Sequence, residues 1–263
     1  SDFIVLKSKK MHHLLSIIPK FWNQFDYFVD MQGNDRSKFL SFFARAKRIS
    51  NYIKDFKIVS IPNSLKPYIA EQSVYHVDIY SILAQLDITF DFLPFQKKEK
   101  TYIILNCGSS SKWTSKRLPI SKWQEIANVA YEKFQLPFIL TGEKAECAYI
   151  EEVANAITYP NTVLAGKTSL LELKDVLTNA FLTISSDSAS LHISSVQRTP
   201  SIGIFGPTSW IYAKPFGPWS TAIYDKVFYK EGKPPIKNRQ EVDAYFDAID
   251  ITPALKELES YLN

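Results

Sequence analysis

A chain of 263 residues with 46% hydrophobic content is long enough to bury one large core or two modest ones, and two domains suit this length better than one. Its formal net charge of +4 suits an anionic ligand or a membrane surface, whereas the lack of a concentrated Lys/Arg tract argues against a nucleic-acid reader. The two cysteines, Cys107 and Cys147, stand at neither metal-ligand nor disulfide-framework spacing, which excludes a stapled secreted scaffold and predicts two thiols in a reducing, cytoplasmic compartment.

In chain order, residues 2–6 (DFIVL) read as a strand, residues 11–25 as a helix interrupted by Pro19, residues 26–31 (DYFVDM) as a strand and residues 35–46 as a helix. Short strand candidates follow at 48–50 and 56–61, and residues 73–88 carry helical periodicity. Residues 91–101 (DFLPFQKKEKT) combine a proline with a charge cluster and no periodicity, and they read as a linker. Beyond it the alternation is regular: strands at 102–107, 137–142, 162–166, 181–186 and 201–207 are separated by helical segments. This predicts an α/β second domain with a five-stranded, doubly wound parallel sheet. The final helical segment, 241–262, contains Pro253 and is predicted to be two pieces. The expected domains are therefore 1–92, a linker at 93–101, a second domain at 102–238 and a C-terminal helical segment at 239–263. No apolar run reaches the length of a membrane span, and the N-terminus lacks the zones of a signal peptide. The basic, partly apolar stretch 7–22 reads either as an ordinary core helix with a charged lead or as a peripheral contact with anionic lipid.

Ligands of such sheets bind beyond the carboxyl ends of the strands, with anionic groups at helix N-termini. Three loops on that edge carry polar groups. The loop 106–123 holds Gly108, Ser109, Ser110, Lys116 and Arg117, which make either a phosphate cradle or a solvated Ser/Lys loop. The loop 140–146 places Glu143 and Glu146 at a helix start, where acids ordinarily complement the dipole. After the fourth strand come Asp187, Ser188, Ala189 and His192, readable as an N-cap with a core histidine or as a site. Three polar loops converging on one edge favour a binding cleft.

Five segments in order resemble glycosyltransferase family 9, the family of the ADP-heptose:lipopolysaccharide heptosyltransferases. These are FDYFVDMQGNDRS (25–37), like a D-L-Q-G-x-x-R-S segment; GSSSKWTSKRLPISKWQEIA (108–127), like a G-S-x-x-x-x-K-R-W-P loop; LTGEKAE (140–146); LAGKTSLLEL (164–173); and SSDSASLHISSVQRTPSIGIFGPTS (185–209), like an S-N-D-[ST]-G-x-x-H signature running into F-G-P-T. The resemblance implies a GT-B-like fold of two Rossmann-like domains with parallel sheets, the N-terminal one incomplete here. By position, Lys116 resembles the family lysine on the donor phosphates, assisted by Ser109 or Ser110. Glu146, with Glu143 as a nearby substitute, resembles the acid at the ribose. Asp187, Ser188 and His192 resemble the residues holding the donor's sugar and pyrophosphate, and Lys116 and His192 are the implied stabilisers of the leaving group. Ala189 stands where the family has glycine. Asp30, Gln32, Asp35 and Arg36 fall on the implied acceptor side, although Asp30 also reads as structural and Asp35 as an N-cap.

The implied activity is inverting, metal-independent transfer of a sugar, heptose by family precedent, from a nucleotide-diphosphate donor such as ADP-heptose to a lipid-linked glycan on the inner face of the cytoplasmic membrane. No cofactor and no nucleic acid enter. The family's G-D-x-[LV] loop, whose Asp is the expected base, has no counterpart before residue 25. Two alternatives stay open on that account: a nucleotide-sugar-binding or assembly protein without turnover, and another GT-B enzyme such as a sugar-nucleotide epimerase.

Overall fold

The computed structural model describes residues 8, 10–30, 34–50, 79–80, 82–84, 86, 94–109, 113–226 and 243–263. They fall into two compact units, the smaller from described residues up to 50 and from 79 to 86, the larger from residue 94 onward. The strand expected at 2–6, that at 56–61 and most of the helix expected at 73–88 lie outside the described residues, although 79–80 and 82–84 are helical.

In the smaller unit, α1 (Met11–Ile17) passes into a 3-10 turn (Ile18–Lys20) because Pro19 lacks the N–H that would continue the helix. Leu14 and Ile18 are buried, whereas Met11, Leu15 and Trp22 are exposed. Strands β1 (Tyr27–Asp30) and β2 (Lys47–Ser50) pair in parallel and are joined through α2 (Asp35–Ala44), a single βαβ unit. Phe28, Phe39 and Phe43 pack around Ile18, Phe21 and Ala44 to form its core. The cap of α2 is Asn34, not Asp35. The extended backbone of Asn34 lets its carboxamide oxygen accept from the N–H groups of Arg36 and Ser37, each at 3.0 Å, and leaves Asp35 as the first helical residue.

The larger unit is a six-stranded, fully parallel sheet in the order β5-β4-β3-β6-β7-β8. Its strands are β3 (Ile103–Asn106), β4 (Phe138–Thr141), β5 (Asn161–Val163), β6 (Leu182–Ser186), β7 (Ser201–Phe205) and β8 (Ser220–Tyr224). The five strands expected from sequence are present, and β8 is an addition on the β7 edge. It escapes a periodicity reading because its crossover carries only the one-turn α7 (Trp210–Ala213) amid prolines and aromatics, with no full helix to announce another βα unit. Residues of β3, β6 and β7 are buried throughout, as parallel strands covered on both faces must be. The long crossovers are α3 (Ile120–Phe134), α4 (Cys147–Ala156), α5 (Leu170–Thr178) and α6 (Ala189–Val196).

The C-terminal pieces are α8 (Thr252–Glu257), with Pro253 in its first turn, and α9 (Glu259–Leu262). Leu255, Leu258 and Leu262 join the same core as Trp123, Phe138 and Phe181. Among the described residues no helix is long and apolar enough to cross a membrane.

Candidate functional site

The strand order reverses between β3 and β6, so a crevice opens beyond their carboxyl ends. Register brings three polar side chains level there: Asn106 pairs with Thr141 of β4 on one side and with Ser185 of β6 on the other. Beyond them lies a cleft of about 570 Å³ whose lining includes Lys116, Glu146, Ser169, Asp187 and Ser188.

Lys116 ends a 3-10 turn (Thr114–Lys116) in the loop after β3. Its Nζ donates to Asp187 Oδ2 at 2.7 Å and to the Asp187 carbonyl at 3.3 Å, and it lies 5.6 Å from the centre of the Trp113 ring. With side chains only 19% and 12% exposed, this cation and carboxylate neutralise each other at the cleft floor. The loop is fastened locally. Ser109 Oγ donates to the Trp113 carbonyl at 2.8 Å, Arg117 Nη2 donates to the Ser109 carbonyl at 3.2 Å, and Ser186 Oγ donates to the Gly108 carbonyl at 2.9 Å. The Ser109 hydroxyl thus holds the loop together, and Ser110 lies outside the described residues.

Ser188 occupies the N-cap position of α6 without capping it. Its Oγ instead accepts from Asn106 Nδ2 at 2.9 Å and lies 3.0 Å from Ser185 Oγ. Asp187 does not cap either, being held by Lys116. The first turn of α6 therefore meets the cleft with no side-chain cap, and Ala189 and Ser190 both line it. His192 stands one turn on, on the exposed face of α6 and apart from the cleft lining. Although solvent reaches part of the residue, the protein packed beside the ring holds its pKa below the usual histidine value, with Asp187 pulling it up and Lys116 pushing it down.

Glu146 is 5% exposed at the start of α4, and its Oε2 accepts from the Glu143 N–H at 2.7 Å. The carboxylate fits because two glycines leave room for it: a Cβ at Gly108 would lie 2.1 Å from Oε2, and one at Gly142 would lie 2.8 Å from it. Burial raises its pKa and outweighs the Glu143 amide, which lowers it; Glu143 raises it further, and Arg117 draws it down. Glu143 lines the cleft beside it. On the far rim, Ser169 and Glu172 form a reciprocal cap for α5, and Leu170 beside them is 68% exposed.

Sequence reasoning names Lys116, Glu143, Glu146, Asp187, Ser188 and Ala189, and the fold gathers these on one cleft. Absent from that set are Asn106 and Ser185, which hold Ser188, and Thr141, which holds Asn106; the available signal is that Asn106 and Thr141 each close an otherwise apolar strand, whereas Ser185 is one of several hydroxyl residues in β6. In the smaller unit Asp30 is buried at the end of β1, Asp35 and Arg36 are exposed at the start of α2, and Gln32 lies outside the described residues. Among the described residues no group of His, Cys, Asp and Glu could hold a metal ion.

The model of glycosyltransferase family 9 (heptosyltransferase) matches residues 72–234, more than half of the chain. The chain belongs to glycosyltransferase family 9. Its similar relatives include the lipopolysaccharide core heptosyltransferase OpsX of Haemophilus influenzae, 28% identical over 158 residues that cover 58% of this chain and 44% of that protein. The Escherichia coli lipopolysaccharide heptosyltransferase 3 is 29% identical over 135 residues, covering 51% of this chain and 38% of that protein. The chain thus spans less than half the length of these family 9 relatives. Among solved structures, a glycosyltransferase family 9 protein of Veillonella parvula superposes with a TM-score of 0.67 at 18% identity, covering 98% of this chain and 81% of that one. The Escherichia coli heptosyltransferase WaaC with ADP superposes with a TM-score of 0.61 at 14% identity, covering 95% and 77%. At such identities these structures speak to the fold, which is GT-B-like.

Proposed function

We propose that this family 9 chain is a glycosyltransferase that moves a sugar from a nucleotide-diphosphate donor to a hydroxyl of a lipopolysaccharide-type glycan, with inversion and without a metal ion. The relatives' names point to heptose, and a related structure holding ADP points to ADP-heptose. The observation that carries the reading is the junction of Lys116, Asp187 and the uncapped first turn of α6 at the strand-order reversal. Backbone amides and one ammonium group at a helix start suit a diphosphate.

In this reading the diphosphate lies on the α6 amides and draws Lys116 toward it, and Asp187, released from the ion pair, accepts from the sugar hydroxyls. Glu146 accepts from the ribose. The acceptor hydroxyl loses its proton to a base and attacks the anomeric carbon from the side opposite the diphosphate. The new C–O bond forms as the bond to the diphosphate oxygen breaks, and the charge growing on that oxygen meets Lys116 and the first-turn N–H groups of α6. These groups supply the positive potential that a cation would otherwise bring. The acceptor side falls to Asp30, Gln32, Asp35 and Arg36, and the site of action to the inner face of the cytoplasmic membrane. Salt-sensitive sedimentation with anionic vesicles tests the last point.

The deciding experiment measures nucleotide release from ADP-, GDP- and UDP-sugars, ADP-heptose included, with a truncated lipopolysaccharide acceptor and with EDTA present or absent. ADP-heptose turnover indifferent to EDTA is expected. Tight ADP binding with no release from any donor would leave a binding protein instead.

A further inference from the structure

The hydroxyl of Ser188 is held by an arrangement whose hydrogen-bond directions can be followed atom by atom. Thr141 Oγ1, 1% exposed, donates to Asn106 Oδ1 at 2.9 Å. That bond turns the Asn106 carboxamide so that Nδ2 faces Ser188 and donates to its Oγ at 2.9 Å. Ser185 Oγ gives its single proton to the Ser186 carbonyl at 2.7 Å, so at the 3.0 Å contact between Ser185 and Ser188 the proton must come from Ser188. Ser188 therefore accepts from one buried neighbour and donates to another, and its hydroxyl is turned away from the helix it precedes.

That orientation opposes a strong local preference. A serine at the N-cap position ordinarily accepts from an amide of the first turn, and that bond contributes about 1 kcal/mol. Here the backbone of Ser188 is extended, as an N-cap requires, yet its side chain makes no cap bond. The first turn so left without a side-chain cap contributes Ala189 and Ser190 to the lining of the cleft that also holds Lys116.

We propose that Asn106 is a positioning residue: from the opposite side of the strand-order reversal, 82 residues away in sequence, it withholds the Ser188 hydroxyl from α6 and so reserves the first-turn amides for the donor diphosphate. The proposal rests on the reading of this cleft as a nucleotide-diphosphate site. Without Asn106, the hydroxyl swings back to cap its own helix, and an incoming phosphate must displace it. The ligand loses affinity although Lys116 and the first-turn amides of α6 are all still present.

The test uses Asn106→Ser, which keeps a partner for Thr141 but is too short to reach Ser188, with Asn106→Ala as a second variant. Each is made in the parent and in a Ser188→Ala background. Inorganic pyrophosphate, ADP and adenosine are titrated by calorimetry, with thermal melts as a fold control. Both Asn106 variants are expected to bind pyrophosphate and ADP about fivefold more weakly than the parent, the equivalent of one cap bond, and adenosine unchanged. In the Ser188→Ala background the same substitutions should change nothing further, because no hydroxyl remains to compete. Amide hydrogen exchange gives a readout independent of ligand: the N–H of Leu191, third in the helix, should become more protected in Asn106→Ser while the rest of α6 does not. Equal losses with and without Ser188, unchanged pyrophosphate affinity in both variants, or unaltered protection at Leu191 would overturn the role of Asn106 and leave the site intact. A parent protein that binds neither ADP nor pyrophosphate would instead overturn the site itself.

Discussion

Asp187 and Lys116 satisfy each other as an ion pair, so a substitution at either acts on both. Replacing Lys116 by alanine removes a cation that faces the diphosphate and leaves Asp187 as an uncompensated, poorly solvated charge on the cleft floor. Lys116→Ala should weaken ADP by about 1.5–3 kcal/mol, the worth of a charge-assisted contact, and leave adenosine nearly unchanged. Asp187→Asn works in the other direction, because it removes the carboxylate with which a phosphate competes for Lys116. Affinity for ADP should hold or rise, while affinity for an ADP-sugar falls by a similar 1.5–3 kcal/mol as the charged acceptor for sugar hydroxyls is lost. Calorimetry with both ligands on both variants separates these effects, and equal losses for ADP and ADP-sugar in Asp187→Asn would show that Asp187 does not hold the sugar. Glu146 is legible in a different observable, the pH dependence of stability. Its folded pKa lies above the ordinary 4.5 because it is buried, so the folded protein binds that proton more tightly than the unfolded chain does. The associated stability is full below about pH 4.5 and is lost as pH rises through the higher folded value. Glu146→Gln removes this loss, so melts taken from about pH 4 to pH 7 should show the variant gaining on the parent as pH rises and then running parallel to it. A constant offset across that range would mean that Glu146 titrates as an ordinary surface acid.

At the scale of elements, α3 and α4 hold the Lys116 loop from behind through one phenol. Trp123 Nε1 of α3 donates to the Tyr149 hydroxyl at 3.0 Å, and that hydroxyl donates to the Leu118 carbonyl, two residues beyond Lys116, at 2.6 Å. Burial raises the Tyr149 pKa well out of the working range, so the phenol stays protonated and this relay does not titrate near neutrality. Tyr149→Phe leaves a buried indole N–H and a carbonyl without this partner, which should destabilise the fold by about 1–3 kcal/mol and loosen the loop enough to weaken ADP without touching it. A melt and an ADP titration together check this. A lower melting temperature with unchanged ADP affinity would confine the relay to stability. The helices themselves are readable from sequence because Trp123, Ile126, Ala127 and Ala130 repeat along one face of α3. The elements that escape such reading lack a period: β8 is announced by no full crossover helix, and the cap of α2 depends on the extended backbone of Asn34 rather than on residue type, since Asn34 and Asp35 are equally good caps on paper. The site divides in the same way. Lys116, Glu146 and Asp187 sit in loops whose polarity is visible, whereas Asn106, Thr141 and Ser185 meet only because strands 35 and 79 residues apart in sequence lie side by side in register.

For the whole molecule, the described lining of the cleft proposed for the donor runs from Asn106 to Ser190, within the larger unit. The sheet has the doubly wound order in its entirety, and α8 and α9 close its core with Leu255, Leu258 and Leu262. Residues just before β3 are also tied to this unit: Arg198 Nη1 donates to the Pro94 carbonyl at 2.9 Å, Lys98 Nζ donates to the Thr178 carbonyl at 2.7 Å, and Lys97 reaches the carbonyl of Asn263. A chain beginning at residue 93 keeps all of these contacts and buries a core of its own. We therefore expect residues 93–263, produced alone, to unfold in one cooperative transition and to bind ADP within about twofold of the parent, as an intact site requires. At a hundredfold excess of ADP over its dissociation constant, binding contributes about 2.7 kcal/mol, which for a unit of this size moves the melting temperature by roughly 5–10 °C. Transfer to an acceptor should be lost, because the residues assigned to the acceptor side lie in the smaller unit. Calorimetry and melts with and without ADP decide the matter. A non-cooperative melt would show that the larger unit depends on residues before 93 for its core, whereas a cooperative melt unmoved by ADP would show that the nucleotide is held by groups outside residues 106–190.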